Sequence, residues 1–246
     1  MHLTSWQWAW LALAAFCSGL AKTGIAGLSV LPVALFANVL PARESIGALL
    51  PLLLCGDMFG VMYFRKHAQW PQLWRLFPWV AAGLLAGYLA LERINNGHIQ
   101  RMIAIILLAV LALQWWRGRQ PGDLAARLPH SLWFAASMGF LAGFATMTAN
   151  VAGPVMFLYL LAIDLPKLMF LGTSAWFFLL VNAFKMPLSA SLGLITPSSL
   201  LLDAILLLPM LPGVLLGPIV LRHINQRAFE NMVLVLTLAG VVRLLW

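Results

Sequence analysis

Residues 5–39 read SWQWAWLALAAFCSGLAKTGIAGLSVLPVALFANV, a strongly apolar stretch that is interrupted near its middle by Lys22, Gly24 and Gly27. It is too long for a single membrane span of about 20 residues. Glycines next to polar residues weaken a helix at that point. The stretch is therefore predicted to form two helical pieces that meet at a break, either as a re-entrant hairpin or as two spans.

A second stretch, residues 131–163, repeats this pattern with Asn150, Gly153 and Pro154 at its interruption. Proline is tolerated in the first turn of a helix because its missing N–H would be unpaired there anyway. The second piece of this stretch is therefore predicted to begin near Gly153. A helix N-terminus presents free N–H groups and a partial positive charge, so two such breaks at membrane depth would suit an anion.

The composition predicts an all-α integral membrane protein. Hydrophobic residues make up 63% of the 246 residues and charged residues only 9%, against roughly 25% charged in a typical soluble domain. The chain has room for roughly eight spans of about 20 residues and for no soluble domain. Apolar segments fall at 5–21, 24–39, 45–64, 72–91, 98–116, 131–149, 151–163, 168–187, 197–219 and 228–246.

Other classes of protein are disfavoured by the same residues. The formal net charge of +8 comes mostly from bases in short loops, without the basic stripe and interleaved aromatics of a nucleic-acid-binding surface. Cys17 and Cys55 lie inside apolar segments and suggest neither a disulfide framework nor a metal site. Without a phosphate-binding loop, a His-Glu-x-x-His pair or a Gly-x-Ser-x-Gly elbow, the chain is expected to be no enzyme and to need no cofactor.

The chain also resembles itself. Seven residues within 83–102 recur at one constant offset within 213–232. Residues 1–116 and 131–246 are therefore predicted to be homologous transmembrane repeats, separated by a polar linker at 117–130. Duplicated halves in a membrane are typical of transporters, whose site lies where the halves meet and where helices are interrupted.

The loop charges favour an inverted arrangement of the two repeats. If each broken stretch returns to its starting side, one face holds nine bases: Arg65, Lys66, Arg75, Arg117, Arg119, Arg127, Lys167, Arg222 and Arg227. If each stretch crosses once, the bases divide almost evenly. The positive-inside rule therefore favours inverted repeats, each with one broken stretch and three further spans, and places the basic face in the cytoplasm.

Four ionisable residues fall inside apolar segments, where each needs a function or a partner: Lys22, Asp57, Lys185 and Asp203. Lys22 stands at the first break, and Lys185 shares a helix face with Asn182, three residues before it. Together with the two helix N-termini, the two lysines are predicted to bind a small anion. Asp57, which aligns with Asn182 at a slightly shorter repeat offset, is predicted to couple transport to protons.

Structural roles remain open for the same residues. Either lysine could snorkel to the membrane interface, and Asp57 could pair with one of the lysines or with Arg65 as a structural bridge. Asp203 could simply favour the N-terminus of its helix.

The other candidate site residues follow from their place at the breaks and on the next helix. Six are expected to shape the helix termini: Thr23, Gly24, Gly27, Asn150, Gly153 and Pro154. Three are expected to offer hydrogen bonds to oxyanion oxygens: Thr173, Ser174 and Asn182. The predicted mechanism is alternating access around this central anion site.

The motifs of both halves resemble those of TauE/SafE-type permeases. In the first half these are Lys22-Thr23-Gly24 to Gly27, Pro32, Pro41, Arg43, Leu50-Pro51-Leu52-Leu53 and Gly56-Asp57. In the second half they are Ala149-Asn150, Gly153-Pro154, Tyr159-Leu160-Leu161, the run from Gly172 to Phe178, and the run from Asn182 to Pro187. The chain departs from many members at Gly24-Ile25-Ala26-Gly27-Leu28, where it has fewer glycines.

The resemblance implies an inner-membrane anion permease of bacterial type. Its members are associated with export of sulfite, sulfoacetate and related organosulfonates, and some with uptake. The expected partners are a small anionic substrate and the lipid bilayer, and the oligomeric state is open, a homo-oligomer included. Two alternatives also remain open: a passive anion channel, and a membrane-embedded partner that anchors or assembles a soluble enzyme.

Overall fold

The computed structural model describes residues 3–23, 26–118, 131–163 and 165–223. Nine α-helices lie in these ranges: α1 Ser5–Thr23, α2 Val30–Val39, α3 Ala42–Phe64, α4 Trp70–Arg93, α5 Asn96–Gly118, α6 Leu132–Ala149, α7 Gly153–Ala162, α8 Lys167–Ser191 and α9 Pro197–His223. Short 3-10 helices at Ala26–Ser29 and Arg65–His67 precede α2 and α4. The predicted all-α class is confirmed for these ranges, which contain no strand, while the predicted segment 228–246 lies outside them.

Among the described helices, five segments are long and apolar enough to cross a membrane: Ala42–His67, Trp70–Arg93, Leu132–Ala149, Leu168–Ser191 and Pro197–Val220. Each holds 18 or more residues, close to the length that the hydrocarbon core requires. The chain is therefore a multi-pass membrane protein, as its composition predicts.

The two broken stretches each combine one long helix with one short helix. Helices α2 and α7 have ten residues each, which rise about 15 Å, half of a hydrocarbon core about 30 Å thick. Neither short helix can span the membrane, so the reading of each stretch as two full spans is wrong. Each short helix packs on the long helix before it, α2 on α1 and α7 on α6.

Local sequence explains where several helices begin and end. Ser131 caps α6, since its hydroxyl accepts a hydrogen bond from the Phe134 N–H at 3.2 Å. Asn150 ends α6 in the left-handed conformation, with φ 56°. At the start of α9, the Thr196 hydroxyl accepts from the Ser199 N–H at 3.1 Å and the Ser199 hydroxyl accepts from the Thr196 N–H at 3.0 Å.

The two halves pack on each other through reciprocal glycine contacts. Helix α9 packs on α1, and α4 packs on α6. Gly213 of α9 lies against the backbone of α1, and Gly83 of α4 lies against the backbone of α6 in the same way. Gly19 of α1 and Gly143 of α6 return the contact at both crossings. A side chain at any of these glycines would strike the facing backbone, so small residues are what allow both crossings.

Helices α3 and α8, which the shorter offset of the predicted repeat aligns, also contact each other. Asp57 of α3 contacts Asn182 of α8. Seven residues further along α3, Phe64 lies beside Gly172, which is ten residues earlier in α8. Since the contacts advance along one helix and recede along the other, α3 and α8 run antiparallel.

Candidate functional site

The two breaks face each other inside the helix bundle. The first lies between Thr23, the last residue of α1, and the 3-10 helix Ala26–Ser29. The second runs from Asn150 to the start of α7 at Gly153. A Cβ on Gly153 would lie 2.7 Å from Oγ of Ser29, so residues of both breaks are in contact. Helix α2 begins at Val30, directly after this 3-10 helix.

A cavity of about 70 Å³ lies where the breaks meet. Its polar lining residues come from both halves: Lys22, Ser29, Asp57, Thr146, Asn150, Ser174 and Asn182. Most of the remaining wall is apolar: Ala21, Leu53, Phe64, Phe157, Phe170, Leu171, Ala175 and Phe178. Within the described part of the chain, no group of His, Cys, Asp or Glu residues could hold a metal ion.

An ion pair between α1 and α3 forms one side of this cavity. Nζ of Lys22 lies 2.5 Å from Oδ1 of Asp57. The side chains are 11% and 1% exposed, so both charges are nearly removed from solvent. Asn182 of the second half donates to Oδ2 of Asp57 at 2.6 Å, and Nζ of Lys22 also lies 4.5 Å from the centre of the Phe178 ring. Lys22 therefore reaches into the bundle and does not snorkel to an interface.

Lys185 has a different environment behind the second break. Its ammonium donates to the carbonyl oxygen of Thr146 at 2.5 Å and to Oδ1 of Asn150. Asn150 in turn donates through its side-chain amide to the carbonyl oxygen of Ile46 at 2.9 Å. Lys185 is fully buried and is not part of the cavity wall. It therefore caps the C-terminal end of α6 and ties the second break to α8, and it does not snorkel either.

The structure brings together only part of the predicted site. Five of the predicted binding residues line the cavity, together with Asp57: Lys22, Asn150, Gly153, Ser174 and Asn182. Pro154 is buried in the first turn of α7, off the cavity wall. Gly27 belongs to the 3-10 helix of the first break, and Gly24 lies outside the described residues.

Thr23, predicted to shape a helix terminus, and Thr173, predicted to donate to the substrate, are engaged elsewhere. The Thr23 hydroxyl donates to the carbonyl oxygens of Gly19 at 3.1 Å and Val214 at 2.9 Å, so it joins α1 to α9. The Thr173 hydroxyl accepts from the backbone N–H of Gln69 at 2.9 Å, so it joins α8 to the α3–α4 connection. Neither residue lines the cavity.

Ser29 and Phe178 line the cavity although neither is among the predicted site residues. Ser29 follows Gly27 in the first break, and its polarity within an apolar stretch is a signal that could have been used. Phe178 is one of many aromatic residues, and only its position over the Lys22 ammonium distinguishes it.

The arrangement is suited to a small anion. One ammonium and three polar side chains, those of Asn150, Ser174 and Asn182, adjoin a space with mostly apolar walls. In such surroundings a charge-assisted hydrogen bond is stronger than in water. The Lys22 ammonium is already paired with the carboxylate of Asp57, so an anion would have to compete with that carboxylate.

Comparison with known proteins identifies the family of the chain. A family model described as Sulfite exporter TauE/SafE matches residues 9–244, nearly the whole chain, and so includes both halves and both breaks. No curated protein and no solved structure gives a significant match. The resemblance seen in the motifs is confirmed: the chain belongs to the TauE/SafE sulfite exporter family.

Proposed function

We propose that this protein is a secondary transporter that exports a small sulfur oxyanion, such as sulfite, across the bacterial inner membrane. One observation carries the proposal: Lys22, Asn150, Ser174 and Asn182 converge on a cavity at the junction of the two halves. Family membership supports the substrate class and a function other than catalysis. The basic loops predict that the α3–α4 connection faces the cytoplasm.

The size of the cavity favours a compact substrate. A water molecule needs about 10–15 Å³ of such a cavity, so 70 Å³ has room for roughly five water molecules. One sulfur with three or four oxygens fits within that space. A longer organosulfonate such as sulfoacetate would need the cavity to widen, so we expect sulfite to bind more tightly than sulfoacetate.

The ion pair provides a means of coupling the anion to a proton. An oxyanion and the Asp57 carboxylate compete for the Lys22 ammonium, which lies 2.5 Å from Asp57. Protonation of Asp57 removes its charge and releases Lys22 for the anion. Proton and anion then bind together and move in the same direction. A sulfite dianion that leaves with one proton still carries one negative charge outward, and an interior-negative membrane potential drives that movement.

Inverted repeats would supply the alternation of access. Helices α3 and α8, which the shorter repeat offset aligns, run antiparallel, and this is the relation expected of repeats with opposite orientation. The reciprocal packing of α1 on α9 and α4 on α6 supports the same arrangement. Rocking of one half against the other about the cavity would then expose the anion to each side in turn.

Ligand binding to the detergent-purified protein is the first test. A ligand that binds only the folded state raises the apparent melting temperature. We expect sulfite to raise it most in a panel with sulfate, thiosulfate, sulfoacetate, taurine and carboxylates. The shift should disappear in Lys22→Ala and persist in Lys66→Ala, which removes an exposed lysine of the α3–α4 connection. An equal shift in both variants would remove Lys22 from the site.

Flux into or out of proteoliposomes separates the proposal from its alternatives. Sulfite movement that carries protons supports the coupled transporter, and Asp57→Asn should keep sulfite binding while losing proton movement. Sulfite flux that moves no protons in the unaltered protein would indicate a passive channel. No oxyanion binding, together with copurification of one soluble partner, would indicate an anchoring protein.

A further inference from the structure

Asp203 is a buried acidic residue that the proposed anion site does not use. Its side chain on α9 is 5% exposed. Neither carboxyl oxygen has a hydrogen-bond or ion-pair partner within the described ranges. A carboxylate without a partner inside a membrane protein is strongly disfavoured, so such a residue normally has a function.

The helix N-terminus does not account for Asp203. Helix α9 begins at Pro197, so Asp203 lies six residues later, about 9 Å along the axis. The favourable effect of a helix N-terminus on an acidic group is confined to its first turn. Thr196 and Ser199 already cap this end, so capping of α9 does not explain the carboxyl of Asp203.

The position of Asp203 relates it to the ion pair. It lies on the buried stripe of α9 that continues through Leu206 and Met210. A Cβ on Gly56 would touch both the Met210 side chain and the Lys22 side chain. Met210 therefore lies at about the same level along α9 as the ion pair. Asp203 precedes Met210 by two helical turns, which separates it from the pair by about 10 Å along the helix axis.

Asp203 lies on the side of the ion pair away from the basic loops. Helix α8 is antiparallel to α3, and the α8–α9 connection lies near the start of α3, where a Cβ on Gly47 would strike Leu194. Asp203 is therefore toward the α8–α9 connection. If the α3–α4 connection is cytoplasmic, as proposed above, Asp203 stands between Asp57 and the external surface.

Among the described residues, the neighbouring titratable groups leave the carboxyl of Asp203 without a cation of its own. Helices α1 and α3 pack on α9, and their described residues carry these titratable or charged side chains: Cys17, Lys22, Arg43, Glu44, Cys55, Asp57 and Tyr63. Lys22 is paired with Asp57, and Arg43 donates to the carbonyl oxygen of Ile94.

We propose that Asp203 is a second proton-binding carboxyl, which exchanges protons between the external side and Asp57 during transport. A proton is the ligand that suits a single carboxyl among apolar side chains, because a metal cation would need several further oxygen ligands. The assignment of a role in transport rests on the proposed function, whereas the protonated state of Asp203 can be tested without it.

Carbodiimide labelling tests that protonated state. A hydrophobic carbodiimide reacts with a protonated carboxyl in apolar surroundings. At about pH 8 an ordinary carboxyl keeps roughly one proton in ten thousand molecules. We expect dicyclohexylcarbodiimide to label Asp203 of the full-length protein in proteoliposomes at this pH. Glu44, an exposed acid at the start of α3, is the control and should remain unlabelled. Peptide mass spectrometry reads both sites, and absence of label at Asp203 would overturn the proposal.

Flux measurements test the role in coupling. Asp203→Asn resembles the protonated residue in shape and charge, so we expect it to keep sulfite binding and to lose sulfite-driven proton movement. Asp203→Glu restores a carboxyl and should recover that movement in part. Coupled proton movement that is unchanged in Asp203→Asn would overturn the proposal. If Asp203→Asn does not fold, coupled flux is measured on wild-type protein labelled with the carbodiimide. Full coupled flux after labelling would also overturn the proposal. If sulfite neither binds nor moves in the unmodified protein, the proposed function fails while the labelling result still stands.

Discussion

The two breaks face each other across the cavity but differ in how a lysine is used at each. In the first, Lys22 stands on α1 itself and turns its ammonium toward Asp57. In the second, the lysine comes from α8: the Lys185 ammonium donates to the carbonyl oxygen of Thr146 and caps the end of α6. The offset that aligns Asp57 with Asn182 aligns Gly60 of α3 with Lys185, and a Cβ on Gly60 would lie 3.1 Å from the carbonyl oxygen of Lys22.

The two breaks are stabilised by different interactions. The second break is held by three hydrogen bonds, from Lys185 to Thr146 and Asn150 and from Asn150 to Ile46. The charge of the first break is held by one carboxylate that a proton can neutralise. We therefore expect the second break to contribute mainly to the stability of the site and the first break to control anion binding.

Replacement of Lys22 should have the largest effect of all. Lys22→Met leaves the Asp57 carboxylate buried without its counter-charge, which costs roughly 3–5 kcal/mol of stability. Sulfite affinity should also fall by about 30-fold or more, because truncation of one partner of a buried charged contact costs at least about 2 kcal/mol. The double variant Lys22→Met/Asp57→Asn should regain stability but not affinity. Binding of sulfite to the double variant, measured by calorimetry, would contradict the assignment.

Replacement of Lys185 should affect stability more than binding. Lys185→Met leaves Oδ1 of Asn150 without the ammonium that donates to it, at a cost of about 1–3 kcal/mol for one buried acceptor. The Thr146 carbonyl oxygen keeps its second hydrogen bond, from the Asn150 backbone N–H at 3.0 Å. Because Lys185 lies off the cavity wall, sulfite affinity should change by less than about threefold, a free energy below about 1 kcal/mol. Melting temperature and sulfite titration together check this. A loss of affinity as large as that of Lys22→Met would show that the two breaks act alike.

The backbone of the second break can be tested through Asn150, whose φ is 56°. Asn150→Gly and Asn150→Ala both remove the side-chain hydrogen bonds to Lys185 and Ile46. Only alanine adds the strain of a Cβ in the left-handed region, about 1–2 kcal/mol. Asn150→Ala should therefore melt at a lower temperature than Asn150→Gly. The reverse order would mean that this residue does not adopt the left-handed conformation.

Much of the fold could be predicted because the signals are local. Glycine, proline and lysine within apolar runs located both breaks, and the repeat register aligned Asp57 with Asn182, which the structure places 2.6 Å apart. The direction of Lys185 could not be predicted, because a long side chain on a uniformly apolar helix gives no indication of which neighbour it reaches. Asp203 was open to interpretation as a helix-terminus residue because helix starts are uncertain by a few residues in any sequence-based prediction.

The smallest effect separates two adjacent hydroxyl residues of α8. Thr173 and Ser174 were expected to contribute alike, but neighbouring residues on a helix face different directions, and only Ser174 lines the cavity. Ser174→Ala should lower sulfite affinity by a few-fold, in line with about 0.5–1.5 kcal/mol for one hydrogen bond. Thr173→Ala should leave affinity unchanged and lower the melting temperature slightly, since its hydroxyl holds the Gln69 N–H. Titration of both variants with sulfite checks this, and equal losses of affinity would mean that α8 turns a different face to the substrate.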